Sequence, residues 1–148
     1  MKARDLMTEN PEFVTPDDPI TLAARIMRDI DVGIVPVVDS PESRKLQGVI
    51  TDRDIAVRHV AEGHARECLV RDEMTSGRMD TVRPDADQDE VLRLMERGQV
   101  RRLPVVDEDN RLVGIIAQAD IVTKLGPQQP EQVEEVVEKI SEPSRLQE

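Results

Sequence analysis

Apolar residues recur with two different periods along this chain, and the order of the periods is itself repeated. Ala23, Ile26, Met27 and Ile30 stand at i, i+3, i+4 and i+7, which predicts an amphipathic helix. Two strand-like runs follow, residues 34–38 and 46–51, joined by the polar turn Asp39-Ser40-Pro41-Glu42-Ser43. That arrangement predicts an antiparallel hairpin. A second helix is expected from near Asp52 to Gly63, whose missing Cβ suits a left-handed helix stop. Ahead of these elements, Phe13-Val14-Thr15 reads as a short extended segment, closed by Pro16-Asp17-Asp18-Pro19.

The second half repeats the order. Thr81-Val82 is extended, and Pro84-Asp85-Ala86-Asp87 leads into a helix with Val91, Leu94 and Met95 on one side. Strands are expected at 103–106 and 112–117, across Asp107-Glu108-Asp109-Asn110, and a helix from Gln118 towards Gly126-Pro127. The words are repeated as well as the order. Pro36-Val37-Val38-Asp39 answers Pro104-Val105-Val106-Asp107, and each copy is preceded by Arg-Asp-x-Met-Thr, at 4–8 and 71–75. The fold class is therefore α+β, two tandem β-α-β-β-α units, with helices covering a sheet face. The expected boundaries are 1–66 for the first repeat, 67–127 for the second and 128–148 for a C-terminal helix and tail, with 65–72 linking the copies. Each repeat is small for independent stability, so the two should pack together.

Outside the repeat, Val133, Val136, Val137 and Ile140 form one more helical stripe, ending before Pro143. That helix either packs back on its own chain or grips a second subunit, and a homodimer is the expected state.

Composition narrows the function. With one aromatic residue, Phe13, in 148, the core must be aliphatic. A net charge of −11 and the absence of Trp and Tyr argue against nucleic acid as a partner. No apolar run reaches the length of a membrane span, no signal-peptide pattern opens the chain, and the one cysteine, Cys68, cannot form an intrachain disulfide. The expectation is a cytoplasmic protein without membrane contact. No catalytic set is evident, so an enzyme is not expected, and no cofactor is required.

Candidate chemistry concentrates at Gly48-x-x-Thr51-x-x-Asp54. A strand glycine permits close approach of a ligand. Thr51 at the strand-to-helix junction, with Asp54 one turn on, suits the hydroxyls and phosphate of a nucleoside phosphate. The same spacing is that of a capping box. In the second copy Ala117 replaces the threonine while Asp120 remains, so an acid retained without its capping partner points to another task or to inheritance by duplication. His59, His64 and Cys68 carry zinc-binding atoms, but they straddle Gly63 and lack an evident fourth ligand. They are read as solvated residues at a helix end, with no metal expected.

The duplicated Met-Thr, Pro-Val-Val-Asp and Gly-x-x-x-x-x-Asp elements, in fixed order from Met7 to Leu125, resemble the tandem CBS-domain pair, or Bateman module. Residues 100–107, Val-Arg-Arg-Leu-Pro-Val-Val-Asp, look especially typical. The resemblance implies units packed about a pseudo-twofold axis, with two clefts that take adenosine-containing ligands, in modules that often dimerise into a flat disc and regulate an attached enzyme or channel. It implies a hydroxyl position near ribose or phosphate at Thr51, ribose-binding acids at Asp54 and Asp120, and phosphate-reaching bases at Arg101 and Arg102. Val14, Thr15, Ile50 and Val82 are candidates for an adenine slot, the alternative being that such strand residues are only core. The expected function is that of a stand-alone sensor of AMP, ADP or ATP acting on a separate, unidentified effector. The alternative is a constitutive dimeric scaffold with degenerate sites.

Overall fold

The computed structural model describes residues 1–64, 68–77 and 79–142. In chain order the elements are α1 (Ala3–Leu6), β1 (Thr8–Glu9), α2 (Ile20–Ile30), β2 (Ile34–Val38), β3 (Leu46–Thr51), a π-helix (Asp54–Val60), α3 (Val70–Glu73), β4 (Thr75–Ser76), α4 (Gln88–Gly98), β5 (Arg102–Val106), β6 (Leu112–Ala117), α5 (Gln118–Lys124) and α6 (Pro130–Ser141). Both long repeat helices stop on a non-glycine residue in the left-handed region, Asp31 at φ 56° and Gln99 at φ 50°. That conformation turns the chain sharply into the following strand.

The chain divides into two compact units, and neither is continuous in sequence. One comprises Met1–Pro11, Asp80–Glu108 and the chain from Val113 on; the other comprises Glu12–Met79 with Asp109–Leu112. We call them unit 1 and unit 2. The sheet of unit 2 runs β2-β3-β4, with Ile34 opposite Thr51 and Val38 opposite Leu46. That of unit 1 runs β1-β6-β5. In each, the extended segment ahead of the first long helix adds one parallel bridge, Val14 to Val37 and Val82 to Val105.

The third strand of each sheet comes from a part of the chain that pattern reading left unstructured. The Arg-Asp-x-Met-Thr runs form a short helix followed by a two-residue strand. The run at 4–8 joins unit 1, where Thr8 and Glu9 pair with Ile115 and Gly114. The run at 71–75 joins unit 2, where Thr75 and Ser76 pair with Val49 and Gly48. Of the expected linker 65–72, residues 65–67 lie outside the described residues, and 68–72 belong to a structural lead-in, anchored by Val70 N–H donating to the Asp18 carbonyl at 2.9 Å. Its Asp72 accepts from the Leu69 N–H at 3.0 Å, as Asp5 accepts from Lys2 at 2.8 Å. The aspartate of the repeated motif is a helix cap.

These lead-ins also explain the strand glycines. A Cβ at Gly48 would fall well under 3.0 Å from the Thr75 carbonyl oxygen and the Met74 methyl, and one at Gly114 would collide with the Met7 sulfur. The close approach foreseen at Gly48 is therefore made by the chain's own β4, not by a ligand.

Unit 1 closes with α6. Val133, Val136 and Ile140 lie buried in one core with Val91, Leu94, Met95 and Leu125. Lys139 donates to Glu96 of α4 at 2.8 Å and to Glu135 at 3.0 Å, and these two carboxylates hold its ammonium above the usual lysine range. Val133, Val136 and Ile140 of the C-terminal stripe thus pack on their own chain.

Candidate ligand site

Both units carry the same strand-to-helix junction. In unit 2 the Gly33 carbonyl accepts the Asp52 N–H at 2.9 Å, and in unit 1 the Arg101 carbonyl accepts the Gln118 N–H at 2.8 Å. The start of one strand is thereby fixed against the end of its neighbour, where the helix begins.

At the unit 2 junction Thr51 and Asp54 form a complete capping box. The Asp54 N–H donates to Thr51 Oγ1 and the Thr51 N–H to Asp54 Oδ2, each at 3.0 Å. Asp54 has further partners that local spacing did not reveal. The Thr75 hydroxyl lies 3.1 Å from both its carboxylate oxygens, and Arg58 Nε lies 3.7 Å from Oδ1. Its side chain is 9% exposed. A carboxylate offers about four acceptor sites, so little of Asp54 remains for ribose hydroxyls.

At the unit 1 junction the Ala117 N–H donates to Asp120 Oδ2 at 2.8 Å. This corrects the argument from retention: Asp120 keeps a capping role without a threonine, because the backbone N–H is the donor and needs no side-chain partner. Beyond that bond, Asp120 Oδ1 meets Lys124 Nζ at 3.7 Å, and its side chain is 19% exposed. Arg101 is exposed and Arg102 half-buried on the neighbouring strand end. Among the described residues neither forms an ion pair, so both guanidinium groups are available to an anion.

The apolar candidates lie in the two cores. Val14 and Ile50 are fully enclosed in the unit 2 core, and Val82 is buried in that of unit 1. Their side chains pack against the protein itself. Thr15 is half-buried, and its N–H donates to Asp18 Oδ2 at 2.7 Å. Unit 2 therefore holds Val14, Thr15, Ile50, Thr51 and Asp54; unit 1 holds Val82, Arg101, Arg102 and Asp120.

A second cluster lies in unit 2. His59, His64, Cys68 and Glu73 bring their donor atoms within 4.8 Å of one another. Glu73, buried inside the repeated motif, brings a fourth donor atom to the three that the sequence offers.

The family model for CBS domains matches residues 3–59 and 70–126. The chain belongs to the CBS-domain family. Hypoxic response protein 1 of Mycobacterium tuberculosis is 37% identical over 123 residues, spanning 83% of this CBS chain and 84% of its relative. A crystal structure of that protein, with two coordinated zinc ions, superposes at TM-score 0.74 with 34% identity over 84% of this chain and 98% of its own. AcuB from Vibrio cholerae gives TM-score 0.77 and 31% identity over 97% and 98% of the two chains. CBSX2 in complex with AMP gives 0.71 and 27% over 84% and 95%. Among the described residues of this CBS chain, no helix is long and apolar enough to cross a membrane.

Proposed function

We propose that this CBS pair is a regulatory module that takes an adenine nucleotide, with the nucleotide's ribose on Asp120 and its phosphate on Arg101 and Arg102. The observation that carries this reading is the unit 1 junction: an acid with spare acceptor capacity beside two arginines without ion pairs. The AMP bound by CBSX2 supports the ligand class. Asp54, more fully engaged, is the lesser site. Ligand binding would act by population shift, favouring whichever arrangement holds the nucleotide better. The output passes to a separate effector, and the chain works as a homodimer.

A thermal-shift panel of AMP, ADP, ATP, S-adenosylmethionine and NAD tests the ligand class. A ligand at a hundredfold excess over its Kd stabilises the native state by about 2.7 kcal/mol, which raises Tm by roughly 5–10 °C for a chain of this size. A flat response from folded protein favours the scaffold reading.

The roles are separable by calorimetry. Asp120→Ala removes charge-assisted hydrogen bonds of about 1.5–3 kcal/mol, a ten- to hundredfold loss of AMP affinity. Asp54→Ala is expected to cost less in affinity. The reverse ranking places the principal site in unit 2. In the Arg101→Ala, Arg102→Ala double variant AMP weakens while adenosine does not, because only the phosphate loses its partner. Equal loss of both ligands rules out phosphate recognition by these arginines.

A further inference from the structure

We infer that His59, His64, Cys68 and Glu73 form a binding site for a zinc-class divalent cation. None of the four belongs to the proposed nucleotide site, so the two readings stand or fall separately.

The geometry comes first. The π-helix Asp54–Val60 has no counterpart in α5, the corresponding helix of unit 1. Its wider winding continues beyond Val60, where the His64 N–H donates to the His59 carbonyl at 3.0 Å, a span of five residues. Such turns are rare and concentrate at functional sites. Here the winding sets His59 and His64 beside α3, which presents Glu73 from the opposite side. His59 Nδ1 lies 3.5 Å from Glu73 Oε1, and His64 Nδ1 contacts the same oxygen. The Cys68 sulfur completes a set in which every pair of donor atoms is within 4.8 Å. Donor distances of about 2.0–2.3 Å around tetrahedral zinc place the ligands about 3.3–3.8 Å apart. Closing on an ion thus needs only small side-chain movements.

The chemistry agrees. Glu73 is 1% exposed, and one buried atom of each of two cluster side chains, His59 Nδ1 and Glu73 Oε2, has no hydrogen-bond partner among the described residues. A buried carboxylate with an unsatisfied oxygen is costly, and a buried imidazole nitrogen without a partner adds to the cost. A cation held between the two side chains offsets that cost. Two imidazoles, one thiolate and one carboxylate make a borderline donor set, suited to zinc and unsuited to magnesium or calcium, which favour oxygen. Ligation converts the Cys68 thiol to thiolate and releases its proton to solvent. The half-exposed side chain of His64 leaves the cluster open to solvent, and the chain's charge of −11 attracts cations.

The test uses the full chain, stripped of metal by a chelator and then titrated with Zn2+ against a chromophoric competitor. One ion per chain is expected. Co2+ in its place is expected to show the intense visible bands of four-coordinate cobalt with a thiolate-to-cobalt charge-transfer band. Cys68→Ser should abolish that band and weaken zinc at least tenfold. Glu73→Gln, which keeps the buried shape, should weaken zinc by a similar factor, with circular dichroism confirming that both variants fold. Failure to bind zinc stoichiometrically overturns the inference. So does a cobalt spectrum without the thiolate band, or zinc affinity unchanged in both variants.

Discussion

Cutting the chain after Gly126 is expected to unfold unit 1, not merely to loosen an assembly. Val133, Val136 and Ile140 are 5%, 3% and 5% exposed and share a core with α4 and α5. Burying each such side chain is worth about 1.5–3 kcal/mol, so the three together contribute about 5–9 kcal/mol as an upper estimate. Whole domains are stable by only about 5–15 kcal/mol. The cut also removes Lys139 from Glu96 and uncovers the apolar side of α4. In urea, the truncated chain should lose the unfolding transition of unit 1 or shift it to far lower denaturant. Hydrogen exchange should locate the loss in 88–117. Val136→Asp, which places an unpaired charge in the same core, should act in the same direction. A truncated chain with an unchanged midpoint, but a shifted monomer–dimer equilibrium, would mean that α6 serves an interface instead.

The second large effect is expected at Gly48. In Gly48→Ala the new methyl meets backbone, the Thr75 carbonyl oxygen, so β4 must move as a whole. Overpacking of this kind costs about 1–3 kcal/mol, and an unyielding backbone obstacle places Gly48→Ala at the upper end. The displacement also pulls the Thr75 hydroxyl off Asp54. Gly114→Ala makes the informative partner. Its nearest obstacle is the Met7 sulfur, on a flexible side chain that can rotate away, with the Thr8 carbonyl at 3.0 Å. Alanine also recovers about 0.5–1 kcal/mol of the entropy that glycine loses in a strand, which offsets part of either cost. Denaturant midpoints should therefore fall more for Gly48→Ala than for Gly114→Ala. Equal or reversed losses would show that the lead-in strands yield more readily than their contacts indicate.

Periodicity carried the parts of the fold that are long enough to have a period. β2, β3 and β6 fall at the expected residues, and α2 and α4 bury Ala23 and Val91 from the predicted faces. What lacked a period was illegible. A four-residue helix such as α3 shows no repeating face, and nothing local says which sheet its strand will join. The Arg-Asp-x-Met-Thr repetition was visible, but its purpose depends on Gly48 and Gly114, more than twenty residues away in each case. The candidate site divided in the same way. The Thr51–Asp54 capping box could be read from spacing, whereas the hold of Thr75 on Asp54 required the tertiary fold. Sequence favoured the threonine-bearing junction of unit 2. Geometry leaves more acceptor capacity on Asp120 of unit 1, because the unit 2 carboxylate already has its partners. The four donors of the His59 cluster were concealed for a related reason: an α-helical spacing does not bring His59 and His64 to one point, and the five-residue turn closed by the His64 N–H on the His59 carbonyl does.

The composition of unit 1 has a consequence for how the protein is made. Met1–Pro11 is synthesised ahead of the rest of unit 1, yet its partners begin at Asp80 and extend through α6. At synthesis rates of about 5–20 residues per second, Ala3 and Leu6 wait on the order of ten seconds before their pocket exists. During that interval the nascent chain carries an apolar segment with nowhere to dock. Unit 2 draws most of its residues from 12–79 and can assemble earlier, so birth order and completion order differ between the two repeats. Slow translation of the second half should lengthen the wait of α1 without delaying α2.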